Sequence, residues 1–202
     1  MQLRDARHRP SQHAWNATDL VRCIASLQRA SARGADVFIR PLGNHGLVCV
    51  GGVQARALDQ MTREGFAPAA TVQVRPGHYE AWVKLSPGPL SPETLRAAHL
   101  GLARRYGAGS VDAGQAPFGR LAGFINHEAE PVGDGLRTEV SAQDCHGRVA
   151  TAAPAYLQHV ERALDAARER PRSAPNVPAA PEATRPTPDR ERPAWRDRGD
   201  RG

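Results

Sequence analysis

The spacing of apolar positions changes period several times along the first 170 residues. Leu20, Val21, Ile24, Leu27 and Ala30 recur at helical spacing, with Asn16 or Thr18 placed to cap them, and predict a helix ending near residue 32. Gly34 stops it. The runs ADVFIRP (35–41) and GLVCV (46–50) are short, β-branched and separated by the turn sequence LGNH, which predicts two strands. Over 53–63, Val53, Ala57, Leu58 and Met61 share one helical face, and Gly65 ends that helix. AATVQVR (69–75) and YEAWVKL (79–85) alternate apolar and polar residues around a Pro-Gly-His turn, a hairpin signal. Ser91 followed by Pro92 opens a third helix carrying Leu95, Ala98 and Leu102. A Gly-rich loop (107–114) leads to FGRLAGFINH (118–127), a further loop, and a last helix over about 154–168.

Helix, hairpin, helix, hairpin, helix is the pattern of an α+β chain. It predicts one RNA-recognition-like, mostly antiparallel sheet with helices packed on one face. The polar segment 1–15 is expected to be a flexible N-terminus and 16–170 the folded domain. Residues 171–202 hold seven Pro, seven Arg and five acidic residues with almost no aliphatics, the composition of a disordered Pro/Arg-rich tail.

Composition narrows the function classes. Of the 27 basic residues only Lys84 is lysine, and the formal net charge is +6. A basic balance suits an anionic partner, nucleic acid first, although the wealth of Arg, Ala, Gly and Pro also fits the coding bias of a GC-rich genome. Mean hydropathy is −0.52, and no apolar run approaches membrane length. No apolar signal segment opens the chain, so the expectation is a cytoplasmic protein with no membrane partner. Cys23, Cys49 and Cys145 lie too far apart for a CxxC metal site or a disulfide framework.

Two segments carry candidate chemistry. On the second hairpin strand, Glu80, Trp82 and Lys84 share one face, where Lys84 could meet a phosphate and Trp82 stack on a base. In FGRLAGFINH, Arg120 is placed to grip a triphosphate bidentately, with Asn126 and His127 as hydrogen-bonding groups for phosphate or sugar. A solvent-facing ion pair beside a partly buried Trp, and a tight loop with one exposed Arg, are the bland alternatives.

The ordered blocks ARGADVFIRP (32–41), HGLVCV (45–50), PGHYEAWVKL (76–85), FGRLAGFIN (118–126) and RVATAAPAYLQHVERALD (148–165) resemble the RepB-like DNA primases of mobilisable plasmids. These belong to the archaeo-eukaryotic primase superfamily, and similar domains are fused to some plasmid relaxases. The resemblance covers about residues 20–168 and implies a primase-type core. It implies a nucleotidyltransferase acting on single-stranded DNA in replication or conjugal mobilisation. Nucleoside triphosphates would be its substrates, Mg²⁺ or Mn²⁺ its cofactors, and a relaxase or helicase its partner. It places Gly77, His78 and Tyr79 beside the nucleotide, and Arg120 and Asn126 on the triphosphate side. After HGLV the family carries two adjacent aspartates, where this chain has Gly51 and Gly52; further family aspartates align with Gly109 and Gly114. Glycine offers a metal no side chain, so no metal site is expected at those positions. Asp112, Glu80 and Asp36 are the remaining candidates for catalytic carboxylates. The alternative reading is a catalytically silent nucleic-acid- or nucleotide-binding module, or a truncated relaxase–primase fragment.

Overall fold

A computed structural model describes residues 2–5, 8–43, 45–107, 118–131 and 138–169, with side chains from residue 13 onward. The tail 171–202, most of the Gly-rich loop and Asp112 lie outside the described residues.

Helix α1 (Ala17–Ala32) begins where the Asn16 side chain accepts the Asp19 amide at 2.9 Å. Strands β3 (Ala35–Ile39) and β4 (Leu47–Gln54) follow, then α2 (Ala55–Arg63). The expected hairpin is β5 (Ala70–Arg75) with β6 (His78–Lys84), paired antiparallel. Helix α3 (Pro92–Tyr106) opens as its sequence predicts, with Ser91 Oγ accepting the Thr94 amide at 3.1 Å and Pro92 in the first turn. The last helix, α4, spans Ala153–Glu169.

Three expectations need correction. Residues 1–15 are not loose throughout, because β1 (Gln2–Asp5) and β2 (His8–Gln12) form an antiparallel hairpin that pairs onto β3. Strands β3 and β4 do not pair with each other, since β1 takes one edge of β3 and the two-residue β7 (Gly119–Arg120) takes the other. The described strands therefore form two four-stranded sheets rather than one, ordered β2-β1-β3-β7 and β4-β6-β5-β8. Strand β8 (Ser141–Cys145) was expected as loop; its SAQDC sequence is mostly exposed and gives no apolar alternation to read.

The second sheet is covered on both faces. Val48, Val50, Ala81 and Val83 pack against Met61, Ala98, Leu102 and Val160 of the three following helices. Cys49, Val72 and Trp82 form a second cluster with Val140 on the opposite face. The third cluster joins α1 to the first sheet through Leu27, Val37 and Phe124. Among the described residues no helix is long and apolar enough to cross a membrane.

The site's frame depends on glycine at two places. Across β4 and β6, Val50 pairs with Ala81 and Val53 with Tyr79, so β4 carries one extra residue opposite Glu80. Gly51 and Gly52 form this bulge, and Gly52 has φ +68°, the left-handed region that glycine enters at least cost. Gly119 is needed for closeness, because a Cβ there would fall 2.4 Å from Trp82 Cζ2 and 3.0 Å from Glu80 Oε2.

Candidate nucleotide and nucleic-acid site

Arg120 organises the carboxylates. Pairing of β7 with β3 sets Arg120 opposite Phe38, and its guanidinium carbon lies 4.6 Å from that ring's centroid. Its Nη1 donates to Asp36 Oδ1 at 2.5 Å, and its Nη2 donates to Glu128 Oε2 at 2.6 Å. Its backbone amide donates to Glu80 Oε2 at 2.6 Å. The side chain is only 6% exposed, so the expected open guanidinium is not what the fold contains. A buried cation needs charge compensation, and two carboxylates already supply it.

The neighbouring loop is held by the residues expected to bind a ligand. Asn126 Nδ2 donates to the Val74 carbonyl at 2.8 Å, while its Oδ1 accepts the amides of Glu128 and Ala129 at 3.2 and 3.1 Å. The His127 amide donates to Asp36 Oδ1 at 2.9 Å, and a His127 ring nitrogen donates to the Ser31 carbonyl at 2.7 Å. These bonds fix the turn after β7 and aim Glu128 back at Arg120. Glu128 was not singled out from the sequence, because an acid eight residues beyond an arginine in a loop has no periodic signature.

The face shared by Glu80, Trp82 and Lys84 divides in use. Burial pushes the Glu80 carboxyl up to about 7, against the lowering effect of the Arg120 amide and charge. Trp82 is 8% exposed and packed under Gly119, so it does not stand on an open surface as expected. Lys84 is half-buried and makes no ion pair among the described residues. His78 is half-buried at the hairpin turn, with Arg75 Nη2 3.5 Å from its Nδ1. Tyr79 faces the other way, against the helix-covered core. The structure thus gathers Glu80, Arg120, Asn126, His127 and Asp36, and separates Tyr79 from them.

Among the described residues the donor set does not match a two-cation centre. Gly51 and Gly52 carry no ligand atoms on their side chains, and Asp36 and Glu80 are engaged by Arg120. Among the described residues no three His, Cys, Asp or Glu side chains are grouped to hold a metal ion. Space is not the obstacle at Gly51, where an added Cβ meets nothing within 4 Å.

Two cavities share Trp82 in their linings. One, of about 260 Å³, lies between the end of β3, β4 and the start of α3. The other, of about 570 Å³ and mostly apolar, is lined by Ile39, Val72, Leu121 and Ala122. Arg40, Pro41, Leu47 and Trp82 border both.

Comparison with known proteins agrees with this architecture. The model of the RepB DNA-primase N-terminal domain matches residues 2–156, a span that includes the β1–β2 hairpin. Mobilization protein A of Escherichia coli is 35% identical over 159 residues, covering 76% of this chain and 22% of that protein. The chain therefore spans about a fifth of the length of that curated relative. The crystal structure of primase RepB' superposes with a TM-score of 0.74 at 31% identity, covering 83% of this chain and 58% of that one. The catalytic domain of primase RepB' in complex with initiator DNA gives the same TM-score and identity over 84% of this chain and 88% of that one. An α+β primase-type fold and a family match over three-quarters of the sequence lead to one assignment: the chain belongs to the RepB DNA-primase N-terminal domain family.

Proposed function

We propose that this chain is a plasmid primase-type domain that engages single-stranded DNA during replication or conjugal mobilisation, in the cytoplasm. The observation that carries this reading is the likeness to the RepB' catalytic domain solved with initiator DNA, at 31% identity across 88% of that chain. Nucleoside triphosphates are the second ligand in this reading, and a relaxase or helicase the protein partner. His78 and Lys84 remain the side chains offered to nucleotide or strand. Arg120, Asn126 and His127 act as positioning residues: they hold the turn after β7 and keep Asp36 and Glu128 neutralised.

A second reading, a domain that binds DNA without nucleotidyl transfer, is favoured by one specific observation. The bulge that would present two carboxylates holds Gly51 and Gly52 instead. Primer synthesis on a single-stranded template with labelled nucleotides separates the two, with Mg²⁺ and Mn²⁺ arms. The natural chain would be run beside a Gly51→Asp/Gly52→Asp variant. At Gly51 an added Cβ meets open space, and aspartate tolerates the left-handed conformation at Gly52 better than most residues. Primers from the natural chain would establish catalysis and make Asp112, Glu80 and Asp36 the targets. Primers from the variant alone would establish the silent reading.

A further inference from the structure

We propose that the smaller cavity, between the end of β3, β4 and the start of α3, is a phosphate-binding site built on Arg40, Arg96 and His45. This goes beyond the DNA-binding reading by naming a site, and rests on that reading only for the source of the phosphate. Arg40, Arg96, His45 and His99 all line the cavity, and its described lining contains no Asp or Glu. That charge pattern contrasts with the other arginines that bond carboxylates. Arg120 bonds Asp36 and Glu128, Arg105 bonds Glu64, and Arg168 bonds Glu93 and Asp165. Arg40 and Arg96 form no ion pair among the described residues.

Arg40 is also held in place. Its guanidinium carbon lies 4.4 Å from the centroid of the Phe118 ring, a contact that fixes the plane without neutralising the charge. A half-buried guanidinium so positioned retains its donors for an anion with planar or tetrahedral oxygens. His45 is set for the same task. Its Nδ1 accepts the Leu47 amide at 3.2 Å, so in the neutral ring the proton sits on Nε2, which becomes a donor. Burial lowers the pKa of His45 and of His99, which keeps both rings neutral at pH 7 and leaves the two arginines as the charge of the site.

Size selects the ligand. At about 260 Å³ the cavity lies below the usual range of about 300–1,000 Å³ for whole small-molecule ligands, and suits a phosphoryl group. The larger apolar cavity shares Arg40, Pro41, Leu47 and Trp82 with it. A nucleotide with its phosphate in the first can run its base toward the second. This places phosphate recognition on Arg40 and Arg96 and not on Arg120, whose charge is already met.

The test uses the full chain, with inorganic pyrophosphate and a labelled single-stranded oligonucleotide as probes, measured by calorimetry and fluorescence anisotropy. The natural chain should take up pyrophosphate. Arg96→Gln, on the exposed face of α3, should weaken that uptake about tenfold with an unchanged Tm, and Arg40→Gln/Arg96→Gln should abolish it. No pyrophosphate uptake by the natural chain, or full uptake by the double variant, overturns the proposal. Oligonucleotide binding is read separately, so its absence beside normal pyrophosphate uptake removes the DNA reading and leaves the site standing. Displacement of the oligonucleotide by pyrophosphate assigns the phosphate to the strand; uptake without displacement assigns it to a free nucleotide.

Discussion

At the scale of single residues, Arg120 is worth more to the fold than to a ligand. Removing it leaves Asp36, 8% exposed, as a buried carboxylate without its cation. Breaking a buried pair from one side costs about 3–5 kcal/mol, so Arg120→Ala should lower the urea midpoint strongly. Glu128 is 60% exposed, and Glu128→Ala should cost under about 1 kcal/mol. Equal losses from the two variants would show that the carboxylates do not depend on this cation. Glu80 gives a second prediction. Its folded-state pKa, about 7, lies above the ordinary 4.5, so the native state binds the proton more tightly than the unfolded chain. Stability should therefore fall as pH rises from about 4.5 to about 7, and Glu80→Gln should flatten that slope in pH-dependent melting. None of this pairing was legible in the sequence. Asp36 and Glu80 lie 84 and 40 residues before Arg120, and the β3–β7 register and the close approach of Gly119 to β6 bring them to it.

At the scale of elements, local signals found what is local. The caps at Asn16 and Ser91 and the alternation around Pro-Gly-His each mark an element that formed where it was read. Alternation also divided β6 correctly into the Tyr79, Ala81, Val83 face and the Glu80, Trp82, Lys84 face. What it could not tell is that the second face is covered too, because the covering residues come from the distant segments 118–131 and 138–140. At Gly119 that cover lies directly against Trp82 and Glu80. Gly119→Ala should force the Trp82 ring to move and cost about 1–3 kcal/mol, whereas Gly51→Ala should change stability by less than about 0.5 kcal/mol. Thermal unfolding of the two variants compares them directly. The N-terminal hairpin was missed for a different reason: QLRD and HRPSQ are too polar to carry any apolar alternation. Deleting residues 1–12 should uncover the β3 edge, which β1 otherwise pairs, and give a chain that self-associates in size-exclusion chromatography.

At the scale of the whole molecule, charge and family point to the same partner, but charge alone does not select it. A net charge of +6 spread over 26 arginines attracts any polyanion. The distinction lies in how binding responds to salt and to metal. Three or four phosphate contacts give a log–log salt slope near −2 to −3 for single strands, roughly a 20- to 50-fold loss between 50 and 200 mM salt. Gly51 and Gly52 supply no carboxylates at the β4 bulge, and Arg120 already engages Asp36 and Glu80, so no cation is required to bridge strand and protein there. Affinity for a single-stranded oligonucleotide should then be the same in EDTA as in Mg²⁺ at matched ionic strength, while still falling steeply with salt. Anisotropy titrations in both buffers make the comparison. Loss of binding in EDTA would mean that a cation holds the strand, and would direct the search for its ligands to Asp112 and the loop around it.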